Sequence, residues 1–124
     1  MAVRVGIDLT SVSQVAEAIE EHGDHYLARV YTAAEVADCR GASGIDVARL
    51  AARFAVKEAA RKVLGIGDGG VGWTEMELVR HPASLDLRLT GRAAELAAEA
   101  GLRSFAVSVT HEQGMAAAVV VAEA

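Results

Sequence analysis

Apolar and polar residues alternate at the start of the chain, and apolar residues then recur at helical spacing. The alternation over residues 3–7 predicts a short β-strand that ends at Asp8. Beyond this strand the apolar residues follow a helical period, which predicts a helix that stops at Gly23. Ser11 and Gln14 have the spacing of a capping box, so the helix is expected to begin directly after the strand.

Capping signals mark two more helices. Thr32 and Glu35 form a second capping box, which predicts a helix over residues 33–40. After a short loop of glycine, alanine and serine, the longest helical pattern runs over residues 46–64. Gly65 lies just past the end of this pattern, where a glycine commonly ends a helix. We therefore expect one helix that is longer than the others.

The second half of the chain contains strand signals on both sides of another helix. The pattern first predicts a glycine-rich loop over 65–72 and strands over 75–80 and 85–89. It then predicts a helix that Thr90 caps and Gly101 ends. Two further strands are predicted over 105–110 and 115–121, joined by a hairpin turn at 112–114. Helices and strands do not alternate regularly. The expected fold class is therefore α+β, in a single domain over residues 1–124.

The composition limits the classes of function. A chain of 124 residues holds one core, and its 52% of apolar residues excludes a disordered protein. Only 4% of the residues are aromatic, which argues against recognition of single-stranded nucleic acid by base stacking. A net charge of −5 also argues against binding to the phosphate backbone of nucleic acid. We therefore expect no nucleic-acid partner.

Cysteine usage and hydropathy indicate a cellular location. The lone Cys39 cannot form an internal disulfide, which favours a reducing compartment. The first residues enter a strand pattern directly and do not resemble a signal peptide. The longest apolar run, residues 115–122, is too short to span a bilayer. We therefore expect a cytoplasmic protein with no membrane partner.

One face of the longest predicted helix is basic. At a spacing of four residues it carries Arg49, Arg53, Lys57 and Arg61. Two interpretations are open. In the first, the face is solvated, and the neighbouring Glu58–Lys62 ion pair adds at most ~1 kcal/mol of stability. Alternatively, the cations bind a polyphosphate and the carboxylate is retained for a metal ion.

A second carboxylate suited to metal binding lies at the end of the first predicted strand. Asp8 falls where strand passes into helix, and it is either a turn or capping residue or an exposed, positioned carboxylate. Mg²⁺ typically takes one or two protein carboxylates and completes its octahedron with water and phosphate oxygens. Asp8 and Glu58 meet that requirement if the fold brings them together.

Two other motifs carry little weight. Gly65, Gly67 and Gly70 fit the spacing of a dinucleotide-binding fingerprint. They follow a helix and precede a strand, however, which is the reverse of the order that places phosphate at a helix N-terminus. His111 and Glu112 lack the second histidine of a zinc motif. We therefore expect neither a Rossmann site nor a zinc site.

Four blocks of sequence carry a family resemblance. They are Gly6-Ile7-Asp8-Leu9, Tyr31-Thr32-Ala33-Ala34-Glu35, the run from Arg53-Phe54 through Lys57-Glu58-Ala59 to Lys62 and Gly65, and Val107-Ser108-Val109-Thr110-His111. In this order, and over nearly the whole chain, they resemble the holo-acyl-carrier-protein synthases. These enzymes are the small homotrimeric class of 4′-phosphopantetheinyl transferases.

The resemblance implies a 4′-phosphopantetheinyl transferase-like fold, with one long central helix packed on a small, mostly antiparallel sheet. It implies transfer of the phosphopantetheine arm of coenzyme A to a serine of an apo-acyl carrier protein, with release of adenosine 3′,5′-bisphosphate. The implied cofactor is Mg²⁺, and coenzyme A is the co-substrate. The implied assembly is a homotrimer with sites between subunits. Whether the carrier protein serves fatty acid or polyketide synthesis stays open.

The resemblance also implies roles for individual residues. The implied catalytic residues are Asp8, Glu58 and Lys62, of which the first two bind magnesium and the third neutralises the pyrophosphate of coenzyme A as the leaving group departs. The implied coenzyme A contacts are Arg53 and Lys57 to the phosphates, Lys62 to the pyrophosphate, Gly65 beside the adenine, and Thr110 and His111 to the nucleotide. Either a metal-bound water or a carboxylate such as Glu58 activates the hydroxyl of the attacking serine.

The chain departs from the family's pattern in three places. Ser11 and Gln14 stand where relatives usually have Glu and Arg, and in the family that Arg faces the acidic carrier protein. Ser84-Leu85-Asp86 replaces a Gly-x-Pro turn, and Thr110 replaces the commoner serine. The first departure keeps a second hypothesis open, that of a coenzyme A-binding trimeric interaction protein that has lost efficient transfer.

Overall fold

A long helix packs across a three-stranded antiparallel sheet, with shorter helices and hairpins around it. The structure, a computed structural model, describes residues 2–67 and 70–124. In chain order its elements are β1 (Val3–Ser11), α1 (Val12–His22), α2 (Asp24–Val30), α3 (Ala33–Asp38), β2 (Arg40–Gly41), β3 (Gly44–Ile45), α4 (Val47–Leu64), a 3₁₀ turn (Trp73–Glu75), β4 (Met76–Arg80), β5 (Leu85–Leu89), α5 (Gly91–Glu99), β6 (Ser104–Glu112) and β7 (Met115–Glu123). This arrangement confirms the α+β class.

The main sheet is formed by the first strand and the last hairpin. β7 lies in the middle, antiparallel to β1 on one side and to β6 on the other. The turn between β6 and β7 has positive φ at Gln113 (49°) and Gly114 (77°), the signature of a type I′ turn, whose twist matches that of paired strands. The predicted hairpin is therefore confirmed. β4 and β5 pair in a second antiparallel hairpin, as expected.

Side chains on β1 alternate between the two faces of this sheet. Even positions face α4, where Arg4 Nη1 donates to Val63 O at 3.1 Å. Odd positions face away, and the apolar side chains there are 55% to 64% exposed; they are Val3, Val5, Ile7 and Leu9. The strand thus lies against the helix on one face and exposes an apolar surface on the other.

Small side chains and defined ends fix α4 against the sheet. Its buried alanines are Ala51, Ala52, Ala55, Ala59 and Ala60. Asp46 is the N-cap, and its carboxylate accepts a backbone N–H of the first turn at 3.2 Å. At the other end, Gly65 has φ 71°, its N–H donates to Lys62 O at 3.2 Å, and Ile66 N donates to Arg61 O at 3.0 Å. Both ends of the predicted helix are confirmed.

The two predicted capping boxes have different outcomes. Thr32 and Glu35 form theirs, and α3 then ends at Asp38 rather than at residue 40. Ser11 takes the N-cap position of α1, but its side chain makes no bond to the helix backbone. Its hydroxyl lies 2.8 Å from the Ser13 hydroxyl instead. The first helix therefore begins and ends as predicted without the capping box.

Several features lie outside the predicted pattern. β1 continues to Ser11 rather than ending at Asp8, and β2 and β3 pair in the predicted loop. α2 occupies a stretch for which no helix is predicted. The predicted glycine-rich loop over 65–72 includes residues 68 and 69, which lie outside the described residues. No helix in the described part of the chain is long and apolar enough to cross a membrane.

Gly6 sets the distance between β1 and α4. A Cβ at this position would lie 2.1 Å from Ala59 O and 3.0 Å from Val63 Cγ2. We expect Gly6→Ala to lower the free energy of unfolding by about 1–3 kcal/mol, because the methyl group must push the strand away from the helix. Urea unfolding monitored by circular dichroism measures this change.

Gly41→Ala is the matched control for this prediction. A Cβ on Gly41 would meet its nearest atom, Gly44 O, at 3.8 Å, an ordinary van der Waals contact. We expect this variant to change the free energy of unfolding by less than about 0.5 kcal/mol. An equally small effect for Gly6→Ala would contradict the close approach of β1 to α4.

Candidate functional site

Asp8 and Lys62 meet where β1 crosses α4. Thr10 Oγ1 donates to Asp8 Oδ2 at 2.9 Å, and Lys62 Nζ lies 3.4 Å from Asp8 Oδ1. The same ammonium donates to Ile7 O at 2.8 Å. The Asp8 side chain is 16% exposed and that of Lys62 is 55% exposed. The carboxylate is therefore held in place by its neighbours and remains accessible at one oxygen.

Glu58 lies on the same face of α4 as Lys62, one helical turn earlier. It is half-buried, and its carboxylate forms no hydrogen bond or ion pair with any of the residues that the structure describes. The close approach of Gly6 to Ala59 places this part of the helix against β1. We refer to Asp8, Glu58 and Lys62 as the carboxylate site.

The donor set of the carboxylate site fits a hard divalent cation. Within residues 2–67 and 70–124 there is no group of three or more histidine, cysteine, aspartate or glutamate side chains that could hold a metal. Mg²⁺ typically takes one or two protein carboxylates when water and phosphate oxygens complete its shell, and this site offers two. The ammonium beside Asp8 already occupies a position that attracts positive charge. Asp8 and Glu58 are therefore the residues that could hold magnesium.

Lys57 is buried in the interior, which corrects the expectation that it contacts substrate phosphates. Its side chain is 0% exposed. The ammonium donates to Glu35 Oε1 at 2.7 Å, to Met76 O at 2.6 Å and to Trp73 O at 3.1 Å, which uses all of its N–H groups. Burial lowers the pKa of Lys57, and the Glu35 carboxylate opposes that shift. The ammonium has no donor left for a phosphate.

Through Glu35, this ion pair links three secondary-structure elements. Its side chain is also fully buried, and its oxygens accept Thr32 N at 3.0 Å and Leu78 N at 3.1 Å. The Glu35–Lys57 pair therefore ties α3, α4 and β4 together. In the sequence, Glu35 is recognisable only through its capping box. Its second role has no local signal, because Lys57 and Leu78 are distant in sequence.

Arg53 belongs to a group of basic side chains around a small cavity. The cavity has a volume of about 190 Å³, and the basic residues lining it are Arg49, Arg53, Arg80 and His111, a group that we call the arginine cavity. Arg53 is 4% exposed, and its guanidinium donates to Asp38 Oδ2 at 2.8 Å. Arg53 Nε is buried without a hydrogen-bond partner among the described residues. Buried donors are normally satisfied, so this cavity is suited to an anion.

Arg80 is the member of this group that has no recognisable signal in the sequence. It lies at the end of β4, outside any motif. It joins Arg49 and Arg53 only because β4 packs beside α4, a contact between distant segments. A basic residue at a strand end is the only local signal, and that signal does not distinguish it from other surface arginines.

The basic face predicted on α4 is buried at its two central residues and partly exposed at Arg49 and Arg61. Arg53 and Lys57 are buried, while Arg61 stacks on the Trp73 ring at 4.7 Å and donates to Gly67 O. The ion pair of Lys62 is formed with Asp8 rather than with Glu58. Each cation of the face therefore has a different environment. The solvated-face interpretation is wrong for Arg53 and Lys57, whereas binding of a polyphosphate stays a prediction for the other cations and is excluded only for Lys57.

Thr110 and His111 lie on opposite faces of β6. His111 lines the arginine cavity, on the face toward α4. Thr110 is exposed on the other face, where it lines a shallow groove of about 220 Å³ together with Ile7 and Ser108. A single chain therefore does not bring Thr110 and His111 to the same site. Gly65, the remaining predicted contact, is exposed at the end of α4 that carries Lys62.

The chain is similar in sequence to a family of known enzymes. A family model described as the 4′-phosphopantetheinyl transferase superfamily matches residues 4–120. The holo-[acyl-carrier-protein] synthase of Koribacter versatilis is 40% identical over 125 residues, which is 99% of each chain. The enzyme of the same name from Chloroflexus aurantiacus is 42% identical over 130 residues, covering 94% of this chain and 95% of its own.

The fold is similar to that of solved structures with the same name. The ACPS–CoA complex of Chronobacterium ammoniagenes superposes with a TM-score of 0.86 at 26% identity and covers 99% of this chain and 98% of its own. The sequence and fold similarities therefore agree, and both extend over nearly the whole chain.

Proposed function

Because this chain belongs to the 4′-phosphopantetheinyl transferase superfamily, we propose that it transfers the phosphopantetheine arm of coenzyme A to a serine of an apo-acyl carrier protein. The products are the holo-carrier protein and adenosine 3′,5′-bisphosphate. The observation that carries this proposal is the carboxylate site: Asp8 and the half-exposed Lys62 ammonium are paired where β1 crosses α4, and Glu58 lies one helical turn before Lys62 on the same face of α4. Holo-acyl-carrier-protein synthase activity is also the activity named for its relatives.

The carboxylate site supplies the charge that phosphoryl transfer requires. Asp8 and Glu58 would hold Mg²⁺, which when bound neutralises the diphosphate of coenzyme A. Thr10 fixes the Asp8 carboxylate through Oδ2 and so orients its other oxygen. Lys62 has a long, half-exposed side chain, and it would neutralise the charge that develops on the departing adenosine bisphosphate. These residues position the reacting groups rather than forming a covalent intermediate.

The arginine cavity supports binding of the coenzyme A nucleotide. It concentrates the side chains of Arg49, Arg53, Arg80 and His111 on a chain whose net charge is −5. The anionic phosphates of coenzyme A are therefore attracted by a local group of cations rather than by the charge of the whole molecule. Arg53 and His111 keep the nucleotide-binding role expected of them. Lys57 loses that role and stabilises the fold instead.

A homotrimer accounts for the exposed apolar face of the sheet. The outward side chains of β1 form a continuous apolar patch, of a kind that marks an interaction surface. Thr110 lies on the same face, turned away from the arginine cavity. Packing of three copies through this face would cover the patch and bring Thr110 of one subunit toward groups of another. We propose that the sites are completed between subunits in this way.

Ile7→Glu tests the proposed subunit interface. Ile7 is 64% exposed at the centre of the apolar face, so a glutamate there would be solvated in a monomer and desolvated in a trimer. We expect light scattering coupled to size-exclusion chromatography to give a trimer mass for the unmodified protein and a monomer mass for Ile7→Glu. Ala98→Glu, on the exposed side of α5, is the control and should stay trimeric. An unchanged mass for Ile7→Glu would contradict the proposed interface.

The alternative is a coenzyme A-binding interaction protein without efficient transfer. It is kept open by Ser11 and Gln14, which lie at the start of α1 where relatives usually have Glu and Arg. The experiment that separates the two is incubation with coenzyme A, magnesium and a panel of apo-carrier proteins, followed by intact-mass measurement. Modification of at least one carrier supports the transferase. Coenzyme A binding with no modified carrier supports the alternative.

We also propose a cytoplasmic location. The single Cys39 is fully buried, and burial raises the pKa of its thiol to about 11. Such a thiol is neither a disulfide partner nor a reactive nucleophile at neutral pH. This chemistry is compatible with a reducing compartment, where coenzyme A and apo-carrier proteins would both be supplied.

A further inference from the structure

We propose that Lys62 and a divalent cation compete for the Asp8 carboxylate, so that cation binding releases the Lys62 ammonium toward the phosphates of the substrate. This inference rests on the proposed function, because it concerns the cation that Asp8 and Glu58 would hold. It gives Lys62 two successive positions, one on Asp8 and one on the substrate. A role for Lys62 only in neutralising the departing adenosine 3′,5′-bisphosphate would not require the position on Asp8.

The two oxygens of Asp8 are held unequally. Oδ2 accepts the Thr10 hydroxyl at 2.9 Å, and Thr10 is only 5% exposed. Oδ1 is 3.4 Å from Lys62 Nζ, longer than the roughly 2.7–2.9 Å of a strong charge-assisted hydrogen bond. Oδ2 is therefore fixed to the protein interior, and Oδ1 is the oxygen that a cation would take. Lys62 lies beside that same oxygen.

The Lys62 side chain can leave this position at small cost. It is 55% exposed, and its shorter contact, 2.8 Å, is to the neutral carbonyl oxygen of Ile7. Ion pairs at such exposure contribute little to stability. A cation on Oδ1 would repel the ammonium, whose flexible four-carbon stem lets it move away without a change in the backbone. Glu58, one turn earlier on α4, adds a second carboxylate for that cation.

The sequence offers a direct probe for this movement. Lys57 and Lys62 are the only two lysines in the chain. Lys57 is fully buried with three hydrogen-bond acceptors around its ammonium, so its environment should not respond to a cation at Asp8. A protein labelled with ¹³C only in lysine therefore gives one reporting signal and one internal reference.

The first test is a titration of the lysine-labelled full chain, treated with EDTA and dialysed, with MgCl₂. We expect the ¹³Cε signal of Lys62 to shift along a saturating curve while that of Lys57 stays in place. Asp8→Asn should abolish the response. A Lys62 signal that stays in place while calorimetry shows saturable magnesium binding would overturn the inference and leave the magnesium assignment intact. Absence of saturable binding would overturn both.

The second test measures magnesium affinity without any substrate. We expect Lys62→Met to tighten binding about threefold to tenfold, because the competing ammonium is removed. Arg4→Met is the matched control, since Arg4 donates to Val63 O at the same end of α4 and makes no contact with Asp8. It should change the affinity by less than about twofold. Equal changes in the two variants would show a general charge effect and overturn the proposed competition.

Discussion

Asp8→Asn and Glu58→Gln should each reduce the rate of carrier modification by about a hundredfold to a thousandfold or more. Each substitution keeps the shape of the side chain and removes the negative charge that would hold magnesium at the carboxylate site. Without that charge the diphosphate of coenzyme A has no bound cation to neutralise it. The measurement is the initial rate of holo-carrier formation as a function of magnesium concentration.

Glu95→Gln is the control for these two variants. Glu95 is an exposed residue of α5 whose contact is an ion pair with Arg92, away from the carboxylate site. It should retain the full rate. All of these proteins should give the same far-ultraviolet spectrum, because Glu58 forms no hydrogen bond or ion pair with the described residues and the amide oxygen introduced by Asp8→Asn can still accept the Thr10 hydroxyl. Full activity in both carboxylate variants would contradict the proposed role of Asp8 and Glu58.

Lys57→Met should lower the free energy of unfolding by about 3–5 kcal/mol. The substitution leaves the Glu35 carboxylate buried without its counter-ion and removes the donor for two backbone carbonyls, those of Trp73 and Met76. Urea unfolding at neutral pH measures the loss. A change of this size is comparable with the total stability of many domains, so the variant is expected to be partly unfolded at about 37 °C.

The double variant Glu35→Gln/Lys57→Met separates a structural role from a catalytic one. Removing both charges eliminates the uncompensated carboxylate, so the double variant should be more stable than Lys57→Met alone. Where it is folded, it should recover coenzyme A binding, because neither side chain is assigned to the substrate. If Lys57→Met has normal stability but fails to bind coenzyme A, the buried structural role of this ammonium is contradicted. The result would then support a contact between Lys57 and the phosphates of coenzyme A.

The parts of the fold that can be predicted are those with local signals. Asp46 and Gly65 mark both ends of α4 because an N-cap carboxylate and a left-handed glycine act on the nearest turn. The hairpin between β6 and β7 follows from turn residues at its tip. α2 is not predicted, because the segment is short and lacks a side-chain cap. The helical spacing of Leu27 and Val30 is its only signal in the sequence.

The parts that cannot be predicted depend on contacts between distant segments. Helical spacing places Arg53 and Lys57 on one face, but it does not say whether water or protein covers that face. The interior position of Lys57 follows from Glu35, which is on another helix. The sequence indicates that Asp8 and Glu58 are two carboxylates suited to one metal ion. It does not show that β1 and α4 pack together, which is seen in the structure from the close approach of Gly6 to Ala59.

The central claim is that this chain moves the phosphopantetheine arm from coenzyme A to a carrier protein at a magnesium-dependent site. The most direct test follows both products of one reaction, using mass spectrometry for the carrier serine and chromatography for adenosine 3′,5′-bisphosphate. We predict one phosphopantetheine per carrier, an equal amount of the nucleotide, and neither product in EDTA. Nucleotide release without carrier modification, or bound coenzyme A that yields neither product with magnesium and a competent apo-carrier, would contradict the account.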